Sequence, residues 1–344
     1  MESKPIILAG ILASGLLALQ PAQAGLTFQF NYINTGGSNL GFVDPTHGAA
    51  RQTALQQSAA LLGNYFSAYN ATITFDVNSE DNPGSSTLAS AGSGLGAVGL
   101  GNSVSTPFKH TVVQQKILHG TDANGSAADG EINWNFGIPD GWFLGDTPSG
   151  GAFDFKSTAM HELLHAMGFT SSVQAGGAGA SGNPADGSTP DIWNTSDQFL
   201  TDNAGNFLIN SGGLFDLAKV GVLTGGTTGP NDTPTGNGTF FNGANAVAGN
   251  GGSKVNIYSH QTFDSGSSIA HLDDAFFTSD ALLMEAATVG GAGTRTLSNL
   301  EIGYLKDIGY TQIAAVPVPA AVWLMGSGLM ALFGITRRRK LATA

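Results

Sequence analysis

The chain contains no cysteine. Disulfides are excluded, so its stability must come from other sources, the apolar core first among them. Charge is scarce as well: only 11% of residues are Asp, Glu, Lys or Arg, with 13 basic against 25 acidic. Five of those basic residues, Lys4 and the run Arg337, Arg338, Arg339 and Lys340, sit in the terminal segments. The central chain is therefore strongly acidic, which argues against nucleic acid as a partner. No fixed period recurs, which sets aside a repeat protein. What is abundant is glycine, 50 residues of it, the mark of a loop-rich, secreted style of chain.

The two ends read as addresses. Lys4, an apolar run from Ile6 to Leu19 and Ala22-Gln23-Ala24 before Gly25 give residues 1–24 the layout of a secretory signal with an A-x-A cleavage site. At the other end, Val316-Pro317-Val318-Pro319 leads into an apolar segment from Ala320 to Ile335 and then into Arg337 to Lys340. That segment is slightly short for a stable span of ~20 residues, and the basic cluster fixes its end in the cytoplasm. Taken alone it is a short membrane anchor, a transmembrane helix at the margin of length. Between the two lie about 290 residues, 25–314, enough for one large domain or for two packed lobes meeting near residue 170.

Residues 161–169 read HELLHAMGF. With seven His in 344 residues, a chance H-E-x-x-H is expected only about 0.002 times, so the motif is read as chemistry. At roughly 100° per residue, Met160, Leu163, Leu164 and Met167 share one arc of a helix while His161, Glu162 and His165 share the other. One face suits a core and the other a metal. A catalytic zinc takes three protein ligands and leaves a fourth position for water, whose pKa it lowers to about 7. Glu162 is placed to take that water's proton and pass it to a leaving amine.

The third ligand is not local. The extended pattern H-E-x-x-H-x-x-G-x-x-H needs His at 171, where the chain has Ser171, although Gly168 is in place for the helix to end and the chain to turn. His47, His110, His119, His260 and His271 remain as sources, and Asp186, Asp191 and Asp197 read as loop and turn residues rather than ligands. Tyr258, Tyr304 and Tyr310 are all open as stabilisers of an oxyanion. The acidic stretch from Asp122 to Asp129 is a place where calcium could bind.

Coarse elements follow from periodicity. Leu26, Phe28 and Phe30 alternate with polar residues as a strand does; Leu55, Ala59, Leu62 and Phe66 recur at helical spacing; Ile73, Phe75 and Val77 alternate again. After a Gly-rich stretch from Gly92 to Gly101, Ile132, Trp134 and Phe136 alternate and are expected to form the strand nearest the active-site helix, along whose edge an extended substrate pairs. The blocks 171–190 and 221–252 read as long loops. Leu297 to Ile308 regains helical character before Gly309.

Two resemblances give these parts a context. The V-P-x-P motif, apolar segment and Arg-rich end resemble the PEP-CTERM sorting signals of Gram-negative bacteria, with Val318 where the usual motif has Glu. That implies processing by an exosortase and delivery to the outer surface. HELLHAMGF, the distant Gly266-Ser267-Ser268-Ile269-Ala270-His271-Leu272-Asp273, Met284 in Leu282-Leu283-Met284 and the terminal Leu305-Lys306-Asp307-Ile308-Gly309-Tyr310 resemble leishmanolysin-like metzincins and related bacterial metalloproteases carrying such tails. The resemblance covers about Phe155 to Tyr310. It implies His271 as third zinc ligand, with His260 next in line, and Met284 as the Met-turn beneath the metal. It also implies an α+β zincin-like fold with a mixed sheet, an active-site helix and a loop-rich lower lobe. The absence of Cys sets this chain apart from disulfide-rich eukaryotic members. The expected function is exported, zinc-dependent peptide-bond hydrolysis. A non-catalytic surface protein that retains the fold and a zinc amidase are the alternatives.

Overall fold

The structure is a computed structural model that describes residues 25–34, 39–96, 106–182, 189–216, 238–259, 263–277 and 282–314. The expected export signal and C-terminal segment both lie outside the described residues, and so does His260. Among the described residues no helix is long and apolar enough to cross a membrane.

The chain opens with a β-α-β unit. Strand β1 (Thr27–Tyr32) leads through helix α1 (Gly48–Tyr65) to β2 (Thr72–Glu80), which lies parallel to β1. Period-two alternation drives Ile73, Phe75 and Val77 to the inner face of the sheet, and Leu55, Ala59 and Leu62 of α1, followed by Phe66, are buried as their spacing predicts. Strand β3 (Ala89–Gly92) and strand β4 (Gly130–Asn135) complete a mixed sheet in the order β1-β2-β4-β3. β4 runs parallel to β2 and antiparallel to β3. The outer face is polar and laced across strands: Asn31 donates to Asp76 at 3.0 Å, and Asn78 donates to Glu131 at 2.8 Å and Asn133 at 3.1 Å.

The inner face is covered by α1 and by helix α3 (Phe155–Ala166), with Trp134 of β4 against Phe155 at 4.1 Å between ring centroids. Met160, Leu163, Leu164 and Met167 are all completely buried, so the apolar arc of α3 faces the core as expected. A shorter helix, α2 (Val112–His119), is held by a capping box of Thr111 and Gln114, and the Thr111 hydroxyl also donates to the Ala166 carbonyl at the end of α3.

Two expectations need correction. β3, an edge strand of the sheet, lies along α3 more extensively than the 132–136 segment, which touches the helix mainly where Trp134 meets Phe155, and β4 is paired on both sides and has no free edge. β3 is only four residues of Ala, Ser and Gly, too short and too weakly apolar for its alternation to register. The block 221–252 is not wholly loop either. It contains strand β6 (Thr239–Phe241) and helix α4 (Ala244–Gly249); β6 pairs with β5 (Leu200–Thr201) and β7 (Val255–Ile257). Helix α5 (Asn299–Asp307) explains α4. Asp307 accepts the amides of Asn245 (3.0 Å) and Ala246 (2.8 Å), and the helices cross so closely that a Cβ at Gly303 would fall 2.3 Å from the Asn245 carbonyl. That is a contact across some sixty residues of sequence, invisible to a local window.

The N-terminus of α3 is fixed from afar. Asp154 caps it through the amides of Lys156 and Ser157, and the Arg295 guanidinium grips the same carboxylate through Nε (2.8 Å) and Nη2 (2.7 Å). Asp154 is buried, so removing the arginine would strand its charge. We expect Arg295→Met to cost about 3 kcal/mol, read from the midpoint of chemical denaturation. A loss within the ~0.5 kcal/mol of an ordinary surface substitution would show that the pair is not structural.

Candidate metal centre

α3 ends where Gly168 turns the chain at φ 98°, a left-handed conformation in which the Gln114 amide takes the space a Cβ would need. His161 and His165 stand one turn apart on this helix. His271 reaches them from a tight loop in which Ile269 holds φ 68°, a strained state for a buried β-branched residue that costs about 1–3 kcal/mol. The loop is tied down by Tyr258, whose amide donates to the His271 carbonyl (3.0 Å) and whose carbonyl accepts from the Ile269 amide (2.8 Å).

The three rings meet at Nε2. The separations are 2.9 Å (His161 to His165), 3.0 Å (His165 to His271) and 3.1 Å (His161 to His271). Among the described residues this is the one group of three side chains close enough to hold a metal ion. Each Nδ1 lies against a backbone carbonyl: His161 on Leu283 (2.7 Å), His165 on Phe169 (2.7 Å) and His271 on Ser267 (2.9 Å). A carbonyl only accepts, so each Nδ1 carries the proton and each neutral ring turns a bare lone pair inward. Tetrahedral coordination at about 2.0–2.1 Å sets neighbouring nitrogens about 3.3–3.4 Å apart, within a few tenths of an ångström of this triangle. The donor set fits a metal ion.

Burial keeps these rings neutral. It lowers the His161 pKa to about 4 and the His271 pKa to about 3, and pushes His165 well below its usual value, the neighbouring rings adding to the effect. Glu162 moves the other way. Desolvation raises its carboxyl to about 8, opposed by a hydrogen bond from the Ala91 amide. A dication at the three nitrogens would favour the carboxylate and draw that value down. The Ala91 amide is free for this role because of strand register. Asn135 donates to the Leu88 carbonyl at 3.0 Å, which by antiparallel alternation points the amides and carbonyls of Ala89 and Ala91 off the free edge of β3.

The remaining sequence candidates fall elsewhere. Met284 is fully buried; its amide donates to Glu301 at 2.9 Å and its carbonyl accepts from Leu272, the residue after His271, at 2.8 Å. Tyr310 is committed to the Met167 carbonyl at the end of α3, and Tyr304 is stacked between Phe169 and Phe241 at 3.8 and 3.9 Å, so both are structural. Burial raises the Tyr258 pKa, and the nearby carboxylates of Asp264, Asp274 and Asp273 add to it. Asp191 accepts loop amides from Gly179, Ser181 and Ile192, while Asp197 accepts from Ser171, Ser172 and Asn194. Neither is a ligand, and Asp186 lies outside the described residues. His47 sits at the N-cap position of α1 without a side-chain cap bond, and His110 packs against His119 and Thr195. Asp122 and Asp129 converge on the Lys116 ammonium at 3.1 and 3.0 Å, so a lysine supplies positive charge in the stretch where calcium could bind. The roles of Ala91, Glu301 and the three carbonyls were not read from sequence. Of these only Glu301 leaves a trace there, in the pattern Ser298-x-x-Glu301.

Opposite pH dependences follow for the metal-free protein. The raised Glu162 carboxyl contributes stability that is present below pH 4.5 and lost as the pH rises to about 8. The lowered His161 pKa works in the other direction, its stability lost as the pH falls from 6.5 through about 4. In Glu162→Gln the first dependence should vanish and the second remain. Denaturation across that range should show the wild type losing stability relative to the variant between pH 4.5 and 8, and a pH-independent difference would rule out a buried, protonated Glu162. No protein-family model, no curated protein and no solved structure matches the chain.

Proposed function

We propose that the chain is a zinc-dependent endopeptidase with a zincin-like fold of metzincin type. The observation that carries this reading is the convergence of three proton-free Nε2 atoms from His161, His165 and His271, with Glu162 on the same helix. An all-imidazole set suits zinc, which when bound lowers the pKa of water and polarises a carbonyl. The protein's own part is proton transfer and alignment. Glu162 accepts a proton from the attacking water on its carboxylate and returns it to the departing amine. Its burial beside β3 raises its proton affinity, the direction that favours holding the proton for the return step. The free edge of β3, with the outward amide and carbonyl of Ala89 and the outward carbonyl of Ala91, offers an extended peptide a main-chain partner; β4, expected in this role from sequence, has no free edge.

Glu162→Ala should keep about one zinc per chain and lose about 10²–10⁴-fold in peptide hydrolysis, while His161→Ala, His165→Ala and His271→Ala lose zinc and activity together. Casein or a peptide library, with and without chelator, supplies the assay. Hydrolysis persisting in the Glu162 variant would sink the mechanism, and full zinc in His271→Ala would move the third ligand to His260.

The termini complete the proposal. Residues 1–24 export the chain, the segment before Arg337 halts it in the inner membrane, and an exosortase-type enzyme cuts near Pro317 to Pro319, freeing the protein at the outer surface of a Gram-negative bacterium. Mass spectrometry of secreted material should find a new C-terminus there and no peptide from 323–340. An intact tail on membrane-bound protein, in a host with the sorting enzyme, overturns the processing step.

A further inference from the structure

Glu301 is the third residue of α5, where a glutamate commonly closes a capping box from the protein surface. Here one carboxylate oxygen does so, accepting from the Ser298 amide at 2.7 Å and the Ser298 hydroxyl at 2.8 Å. The other oxygen leaves the helix. It accepts the Met284 amide at 2.9 Å, and the carboxylate also takes the Leu283 amide. The residue is completely buried. All four donors are neutral, so the group has been withdrawn from water for hydrogen bonds alone, an arrangement that capping one helix does not require.

What those bonds hold is the link to the metal centre. The Leu283 carbonyl accepts the Nδ1 proton of His161 at 2.7 Å. The Met284 carbonyl accepts the Leu272 amide at 2.8 Å, and Leu272 is the neighbour of His271. One carboxylate therefore pins the amides of two consecutive residues, Leu283 and Met284, whose own carbonyls fix the ring of one candidate ligand and the backbone beside another. His161 and His271 are 110 residues apart in sequence, and Leu283-Met284 is where their supports meet.

We propose that Glu301 is a positioning residue of the metal centre, holding the Leu283-Met284 turn so that His161 and His271 present Nε2 to one ion. The inference rests on the metal-centre reading above and adds a residue that touches neither metal nor substrate. Glu301→Gln is the direct probe. An amide has one acceptor oxygen, so its NH2 group must face either the Ser298 amide or the Leu283-Met284 amides, and one side loses its bonds. Glu301→Asp keeps the charge but is one methylene too short to span both. Asp307→Ala serves as the control, because it loosens the far end of the same helix without touching the turn.

The full chain and its variants are titrated with zinc against a competing chelator, the absorption spectrum of the cobalt(II)-loaded protein is recorded, and the stability of each metal-free protein is measured. Glu301→Gln should weaken zinc binding by about 10- to 100-fold and change the cobalt spectrum; Glu301→Asp should fall between it and the wild type. Asp307→Ala should lower metal-free stability and leave affinity and spectrum alone. If Glu301→Gln does not fold, Glu301→Asp carries the test. Wild-type affinity and spectrum in the folded Glu301 variants, or the same losses in Asp307→Ala, would overturn the positioning role and leave a structural cap. A wild-type chain that binds neither zinc nor cobalt would instead overturn the metal-centre reading, and this inference with it.

Discussion

Three hydrogen bonds from imidazole to backbone decide what the centre can be. Each sends the Nδ1 proton of a histidine outward to a carbonyl, and each leaves a lone pair facing two others at about 3 Å. Bare lone pairs at that distance repel, and burial denies them protons at neutral pH. The arrangement makes electrostatic sense around a cation. It also shifts the structural problem outward: to hold three nitrogens is to hold three carbonyls, which belong to loops. The Phe169 carbonyl is placed by the left-handed turn at Gly168 and by Ser196, whose hydroxyl donates to the Thr170 carbonyl. The Ser267 carbonyl depends on the strained backbone at Ile269, and Leu283 on Glu301.

The sheet has a different task. Its inner face and α1 give α3 a rigid bed, so the apolar arc of the motif helix is spent on packing while the polar arc is spent on the site. Its free edge meets the polar arc directly, through one bond from Ala91 to Glu162. That contact ties Glu162 to an edge strand of the sheet.

How much of this the sequence reveals depends on how local each interaction is. HELLHAMGF discloses its helix, its buried arc and two of the three converging rings, because all of that lies within one window of nine residues. Alternation in β2 and β4 and the spacing of α1 were legible for the same reason. His271 was reachable only by resemblance, since nothing in its own surroundings marks it as facing His161. β3 and α4 were missed because short, small-residue elements owe their regularity to partners far along the chain, β4 in one case and Asp307 in the other. The carbonyls were beyond reach in principle, as every residue has one. The pairing of Asp122 and Asp129 with Lys116 was also invisible, because an acidic loop looks alike in sequence whether its charge is met by an ion or by a lysine.

The spacing of the three rings along the chain has a consequence for when the protein becomes competent. His271 follows His165 by 106 residues, so an ion shared between them closes a very long loop. A tie of that span removes on the order of 4–5 kcal/mol of freedom from the unfolded chain by the model used for cross-links, so an ion held there would also act as a fastener in a chain without disulfides. It also sets an order of events. A chain that has emerged only as far as α3 holds two of the three rings, and the support for His161 arrives later still, with Leu283 and Glu301. The three-ring cluster is thus among the last things to form, and a chain folded only through α3 carries the motif without its third ring.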